Sequence, residues 1–200
     1  MAMIGMRHVV VVELDSHTAG AEPTYKQTGK VAGKAITGNL TMTHNDNPLY
    51  ADDAIAEEDN GLNEMSLELG LDDLSEDVQD YIGILKKVTA GTPAVTTYYQ
   101  NSKAAKAMGV GYIRVRRKGG VTTYQAIIIY KVMFRIENES TNTKGQTIEW
   151  QTPTVTGRCM GLDIDSSGEV TYRKIQNFET YSDAESYLNT FASISSGTNG

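Results

Sequence analysis

The carboxylates Asp52, Asp53, Glu57, Glu58 and Asp59 crowd into PLYADDAIAEED, residues 48–59, and no lysine or arginine occurs from 45 to 63. Paired carboxylates act as general acid and base only when burial and a rigid scaffold set their pKa values apart. A long connection between two strands offers neither, so the segment is read as solubilising or as docking to a partner of opposite charge. One exposed ion pair contributes only about 0–1 kcal/mol, so a docking role needs many such contacts joined in an array. Asp163, Asp165, Ser167 and Gly168 begin like a calcium loop. The twelfth position, where a bidentate Glu belongs, is Lys174, and the flanks read as strands, so a simple turn is expected. His8, His17 and His44 have no ligand or triad spacing, and no serine sits in a G-x-S-x-G elbow. Cys159 stands alone, which excludes an internal disulfide and suggests a reducing compartment. Gly109 and Gly111 precede a strand rather than open a helix, so they make no phosphate-binding turn. Catalysis, a metal and a cofactor are therefore not expected.

Arg114, Arg116, Arg117 and Lys118 form the one dense basic patch, beside Tyr112 and Tyr124. Stacking aromatics on a basic patch would suit nucleic acid, but a formal net charge of -7 opposes adhesion to a polyanion or an anionic membrane. A solvated hairpin tip ranks first for this patch, a protein contact second and nucleic acid last. No apolar stretch approaches a membrane span, and the apolar run in residues 1–12 is too short for a signal peptide. The chain is expected to be soluble and not exported.

These residues must be positioned by strands. RHVVVVELD, residues 7–15, reads as the first. Ile36, Gly38, Leu40 and Met42 alternate with Thr37, Asn39, Thr41 and Thr43, as in a strand with one wet side, and Met65, Leu67, Leu69 and Leu71 repeat the pattern. The connection at 45–63 exceeds the roughly 12–15 residues beyond which irregular loops become uncommon in compact domains. Ser75 reads as the cap of a helix carrying Glu76 and Asp77 in its first turn and Lys86 and Lys87 in its last, with Val78, Tyr81, Ile82 and Leu85 as its buried stripe. Residues 88–109 read as a long loop. Lys118-Gly119-Gly120 marks a hairpin whose second arm, 121–136, places Tyr124, Ala126, Ile128, Tyr130, Val132, Phe134 and Ile136 on one face. From Gln146 to Met160 the apolar phase shifts from Ile148 and Trp150 to Val155 and Cys159, which a bulge or edge at Pro153 would explain. Residues 163–169 turn back onto a strand at 170–175. Ser182 and Glu185 have capping-box spacing for a terminal helix with Ala184, Tyr187, Leu188 and Phe191 inward.

NPLYADD after a strand, the acidic stretch, NEMSLELGLDDLSEDV, YQAIIIYKVMFRI, QTIEWQTPTVTG and a C-terminal Y-x-D-x-E-S-Y-L helix, in this order, resemble the major tail tube proteins of long-tailed phages. The resemblance covers roughly residues 30–192. The stretch at 88–109 is longer than that pattern, and the first thirty residues match it loosely. What it implies is a mainly β fold, a β-sandwich or open barrel with one flanking helix and a short C-terminal helix. Residues 1–30 would be an N-terminal strand and arm, 31–192 the tube domain and 193–200 a flexible tail. It also implies stacked hexameric rings forming a virion tail tube, assembled in the host cytoplasm, through which DNA passes without specific binding. Tape measure, tail terminator and distal tail proteins would be partners. Leu49, Tyr50, Ala51, Asp52 and Asp53, with Glu57, Glu58 and Asp59, would lie in an inter-subunit loop that orders on polymerisation, and Arg114, Arg116, Arg117 and Lys118 would be a basic patch receiving its acids. An acidic lumen is expected from the net charge. The inner tube of a contractile tail or injection system shares these expectations, whereas a monomeric β-sandwich binding module is the alternative of a different class.

Overall fold

The computed structural model describes residues 2–45, 47–51, 54–59, 61–103, 105–136 and 152–194, with 2–4, 47–51 and 54–59 as backbone alone. The elements are β1 (Ala2–Ser16), β2 (Thr24–Tyr25), β3 (Lys30–Gly33), β4 (Ala35–His44), β5 (Asn47–Ala51), β6 (Ala54–Asp59), β7 (Leu62–Leu71), α1 (Glu76–Ile82), β8 (Leu85–Ala90), β9 (Val95–Gln100), β10 (Ala107–Lys118), β11 (Val121–Arg135), β12 (Thr154–Cys159), β13 (Arg173–Phe178) and α2 (Tyr181–Ala192). The fold is mainly β, with antiparallel pairing in a sandwich-like arrangement, one flanking helix and one C-terminal helix.

The main sheet runs β2-β1-β10-β11-β12-β7-β4, with β3 added to β1 and β13 to β11. The long strand β11 makes the layers. Its first half, Tyr124–Ile129, pairs with β13, and its second half, Val132–Arg135, pairs with β12. The sheet thereby divides, and β12, β7 and β4 fold over β1, β10 and β11. Between the layers lie Val9 and Val11 of β1, Met65, Leu67, Leu69 and Leu71 of β7, Met108 and Val110 of β10, and Ile127 and Ile129 of β11. The opposite face of β1, β10 and β11 presents Val10, Val12, Ile113, Ala126, Ile128 and Tyr130 to Ala184, Leu188 and Ala192 of α2. Covered on both faces, these central strands carry runs such as VVVV and AIIIY rather than an alternation. β1 is thus an interior strand, although it comes from the segment read as an N-terminal strand and arm.

Bulges decide which face each residue takes. Between the pairs Met108↔Val132 and Val110↔Ile129, β11 carries one residue more than β10. The extra residue turns Val132 and Phe134 into the inter-layer core, while Tyr124, Ala126, Ile128 and Tyr130 face α2. The single face expected for 124–136 is therefore divided in two. A second irregularity in β1, between Arg7 and Val10, contains His8 at φ 51. Its ring is pinned by Asn189 Oδ1 at 2.8 Å from Nε2 and by Glu185 Oε1 at 3.4 Å from Nδ1.

The helices and the segments near them also differ from expectation. Helix α1 ends at Ile82 because Gly83 takes a left-handed conformation, φ 89, and closes the helix through its N–H to Asp80 O. Lys86 and Lys87 consequently lie on β8, where Lys87 Nζ meets Asp77 Oδ1 at 2.6 Å, and Leu85 is a strand residue. Ser75 stands at the N-cap without a side-chain hydrogen bond, while Val78 and Ile82 are buried as expected. Residues 88–109 contain most of the β8–β9 hairpin and the start of β10 rather than a loop; Thr-rich strands paired from Leu85↔Gln100 to Ala90↔Val95 explain why the segment looks polar. At α2 the cap is Thr180, not Ser182: Thr180 Oγ1 accepts from Asp183 N at 3.2 Å and donates to Asp183 Oδ2 at 2.6 Å. The turn at 163–169 leads through a Leu162↔Thr171 bridge to β13, which starts at Arg173 rather than 170. Val155 and Cys159 are buried, and Pro153 O accepts from Leu71 N immediately before β12; Ile148 and Trp150 lie outside the described residues.

Candidate functional site

The β4–β7 pair does not stop where the main sheet stops. His44 pairs with Leu62, Asn45 N donates to Gly61 O at 2.8 Å, and the ribbon resumes as β5 and β6. Its register runs Asn47↔Asp59, Pro48↔Glu58, Leu49↔Glu57, Tyr50↔Ile55 and Ala51↔Ala54, with an irregularity between Leu49 and Tyr50. Asp52 and Asp53 lie outside the described residues. What length alone suggested as a long loop at 45–63 is therefore largely a two-stranded arm plus the first residues of β7. The arm's two strands form a sheet of their own, separate from the main sheet. At about 3.3 Å per residue, five or six residues continue the ribbon by roughly 15–20 Å.

The basic patch is divided by its strand. Arg114, Arg116 and Arg117 lie on β10, Lys118 closes it, and Gly119 and Gly120 turn the hairpin at φ 57 and 84. Alternation puts Arg114, Arg116 and Lys118 on the side of Tyr112, and Arg117 on the other. Arg114 is half-buried; its Nε and Nη2 donate to Gln125 Oε1 at 3.1 and 2.8 Å, and Gln125 Nε2 donates to Asn177 Oδ1 at 2.6 Å. This relay fixes Arg114 across three strands. Desolvation lowers the pKa of Arg114, and the neighbouring Arg173 and Arg116 charges push the same way against the opposing Tyr112. Tyr124 packs edge-on against Tyr181 with ring centroids 5.9 Å apart, on the α2 side of the sheet, so it does not accompany Arg114.

Arg173 is the residue that sequence reasoning missed. It pairs with Ile129 on the inter-layer side of β11, in the row of Val110, and it lines one cleft with Tyr112 and Arg114, which lie two and four residues further along β10. Across from these groups stands the inner face of edge strand β4. Ile36, Leu40 and Met42 of β4, with Met6 of β1, form an apolar wall, and Arg114, Arg173 and Tyr112 form the opposite side of a cleft of about 440 Å³. Met6 crosses the cleft because Gly38 has no side chain; a Cβ there would overlap the Met6 thioether. The alternation in 36–42 signalled the wall. Nothing local marked Arg173, which lies far from Arg114 in the sequence and meets it only in the folded cleft.

A larger opening of about 660 Å³ lies beside His8, but its lining mixes Arg7 and Lys34 with Asp72, Asp73 and Glu185. Asp72 Oδ1 already accepts from the backbone N–H groups of Lys34 and Asp73. That opening therefore presents compensated charge and little selectivity. In the calcium-like string, Asp163 and Asp165 accept from Ser166 N and Ser167 N, both at 3.1 Å, and so serve their own turn. Hydrogen bonding to Ser167 lowers the pKa of Asp165. No group of three or more His, Cys, Asp or Glu side chains converges among the described residues. His17 Nε2 lies 2.9 Å from Asp163 O. No family model matches the chain, and a search of curated proteins finds no significant match.

Proposed function

We propose that the chain is a structural protein that joins copies of itself into hexameric rings, stacked as the tube of a long phage tail through which DNA passes. The observation that carries this is the unpaired margin formed by β4 and the β5–β6 arm. Among the described residues β4 has β7 on one side and no strand on the other, and the arm pairs only within itself. A ten-residue open edge invites another strand, and a lone two-stranded ribbon is marginal in water. Docking identical chains removes both defects at once. The hexameric count and the tube come from the resemblance carried by NPLYADD through EWQTPTVTG; the edge and arm support self-association. An inner tube with a sheath around it fits the same features.

The apolar and basic cleft favours a second reading, a monomeric β-sandwich binding module. Concentrated protein viewed by negative-stain microscopy, with sedimentation velocity in parallel, separates the two. Rings or tubes are expected; a single monomeric species at every concentration and salt tested overturns the proposal in favour of the module.

A further inference from the structure

We infer that the cleft between β4 and the Arg114–Arg173 pair is the acceptor for the acidic arm, residues 47–59, of a second copy of this chain, an inference that rests on the self-assembly reading. Three features identify the occupant. The cleft has one apolar wall, with Ile36 54% exposed, and one cationic wall. The arm has the complementary composition: Leu49, Tyr50, Ala51, Ala54, Ile55 and Ala56 alternate in blocks with acids, and it has no basic residue. Among the described residues neither Arg173 nor Arg116 forms an ion pair, so two guanidinium groups beside Arg114 are available for carboxylates. Arg114 takes part from a fixed position set by Gln125. The arm also leaves its own body beyond His44, continuing β4 past the stretch that lines the cleft, which directs it toward a neighbour.

This differs from an acceptor at the hairpin tip. Arg117 and Lys118 are spectators, and Arg173, from β13, is the discriminating cation. Loss of a charge-assisted guanidinium–carboxylate hydrogen bond in a partly desolvated cleft should weaken binding roughly tenfold or more.

The test uses a fluorescent peptide of residues 45–61 titrated against the full chain at low concentration, with polarisation as the readout. Wild-type protein is expected to bind it, weakening as salt rises. R173E should lower affinity about tenfold or more and I36S should also lower it, whereas R117E should leave it unchanged. A peptide with Glu57, Glu58 and Asp59 replaced by Lys should lose wild-type binding and regain it on R173E. R173Q, which keeps polarity without reversing charge, covers the case in which R173E misfolds, judged by circular dichroism. Rings or tubes from a chain whose peptide binding ignores Arg173 and Ile36 would overturn the cleft as acceptor and leave self-assembly standing. A chain that never assembles overturns the self-assembly reading, and the second copy as occupant falls with it.

Discussion

Two buried positions on β12 show how closely single residues are held. A Cβ at Gly157 would overlap Val132 Cγ1 and come within 3.1 Å of two Phe134 ring carbons, groups of the packed inter-layer core rather than flexible chain ends. G157A is expected to cost about 1–3 kcal/mol by overpacking, read as a lower urea midpoint with an unchanged slope. Two residues on, burial pushes the Cys159 thiol from 9.0 up to about 12. At pH 8 the folded chain should resist iodoacetamide, and the urea-unfolded chain should alkylate readily. Because the unfolded thiol ionises first, this group leaves stability unchanged below about pH 8. It lowers stability as pH rises from about 9 to 12, which alkaline denaturation curves of the wild type and C159A would reveal.

At the scale of the element, α2 depends on its first turn. Thr180 Oγ1 accepts from the Asp183 N–H, a first-turn donor that the helix itself cannot satisfy, and the hydroxyl donates back to the Asp183 carboxylate, which fixes the cap. T180A should destabilise by about 0.5–2 kcal/mol, while S182A, one residue inside the helix, should change the melting temperature little. The comparison tests whether the capping-box spacing at Ser182 or the observed geometry sets the cap. Gly29 illustrates the other end of the same helix. Its N–H donates to Ala192 O at 3.0 Å, and a side chain there would strike that carbonyl. G29A is expected to loosen the C-terminal turn, seen as faster amide exchange at Ser193 and Ile194, whose N–H groups bond to Thr190 O and Asn189 O.

The whole molecule combines a body that folds around two cores and an arm whose two strands pair with each other in a separate sheet. Deleting residues 46–60 joins Asn45 to Gly61 between the paired residues His44 and Leu62. Asn-Gly in a two-residue hairpin loop is the favoured type I′ turn, so the truncated body should fold with unchanged cooperativity. On the proposed function it should remain monomeric where the full chain forms rings, as sedimentation velocity would record. Truncated protein that assembles like the full chain would remove the arm from the assembly mechanism.

Periodicity made much of this legible from the sequence alone. The alternations at 36–42 and 65–71, the Gly119-Gly120 hairpin, the start of α1 and the α2 stripe all follow from residues interacting with near neighbours. The acidic arm and the basic patch were also visible, because charge needs no fold to be counted. Tertiary structure decided the rest. A bulge changes the face of every later residue in a strand, and one extra residue in β11 reassigned Val132 and Phe134 without any distinctive local composition. Lys86 and Lys87 fitted a helix dipole, yet Gly83 in a left-handed conformation turned them onto a strand. Arg173 and Arg114 line one cleft from β13 and β10, on either side of β11, a long-range relation set by which strands pair and therefore absent from any local pattern.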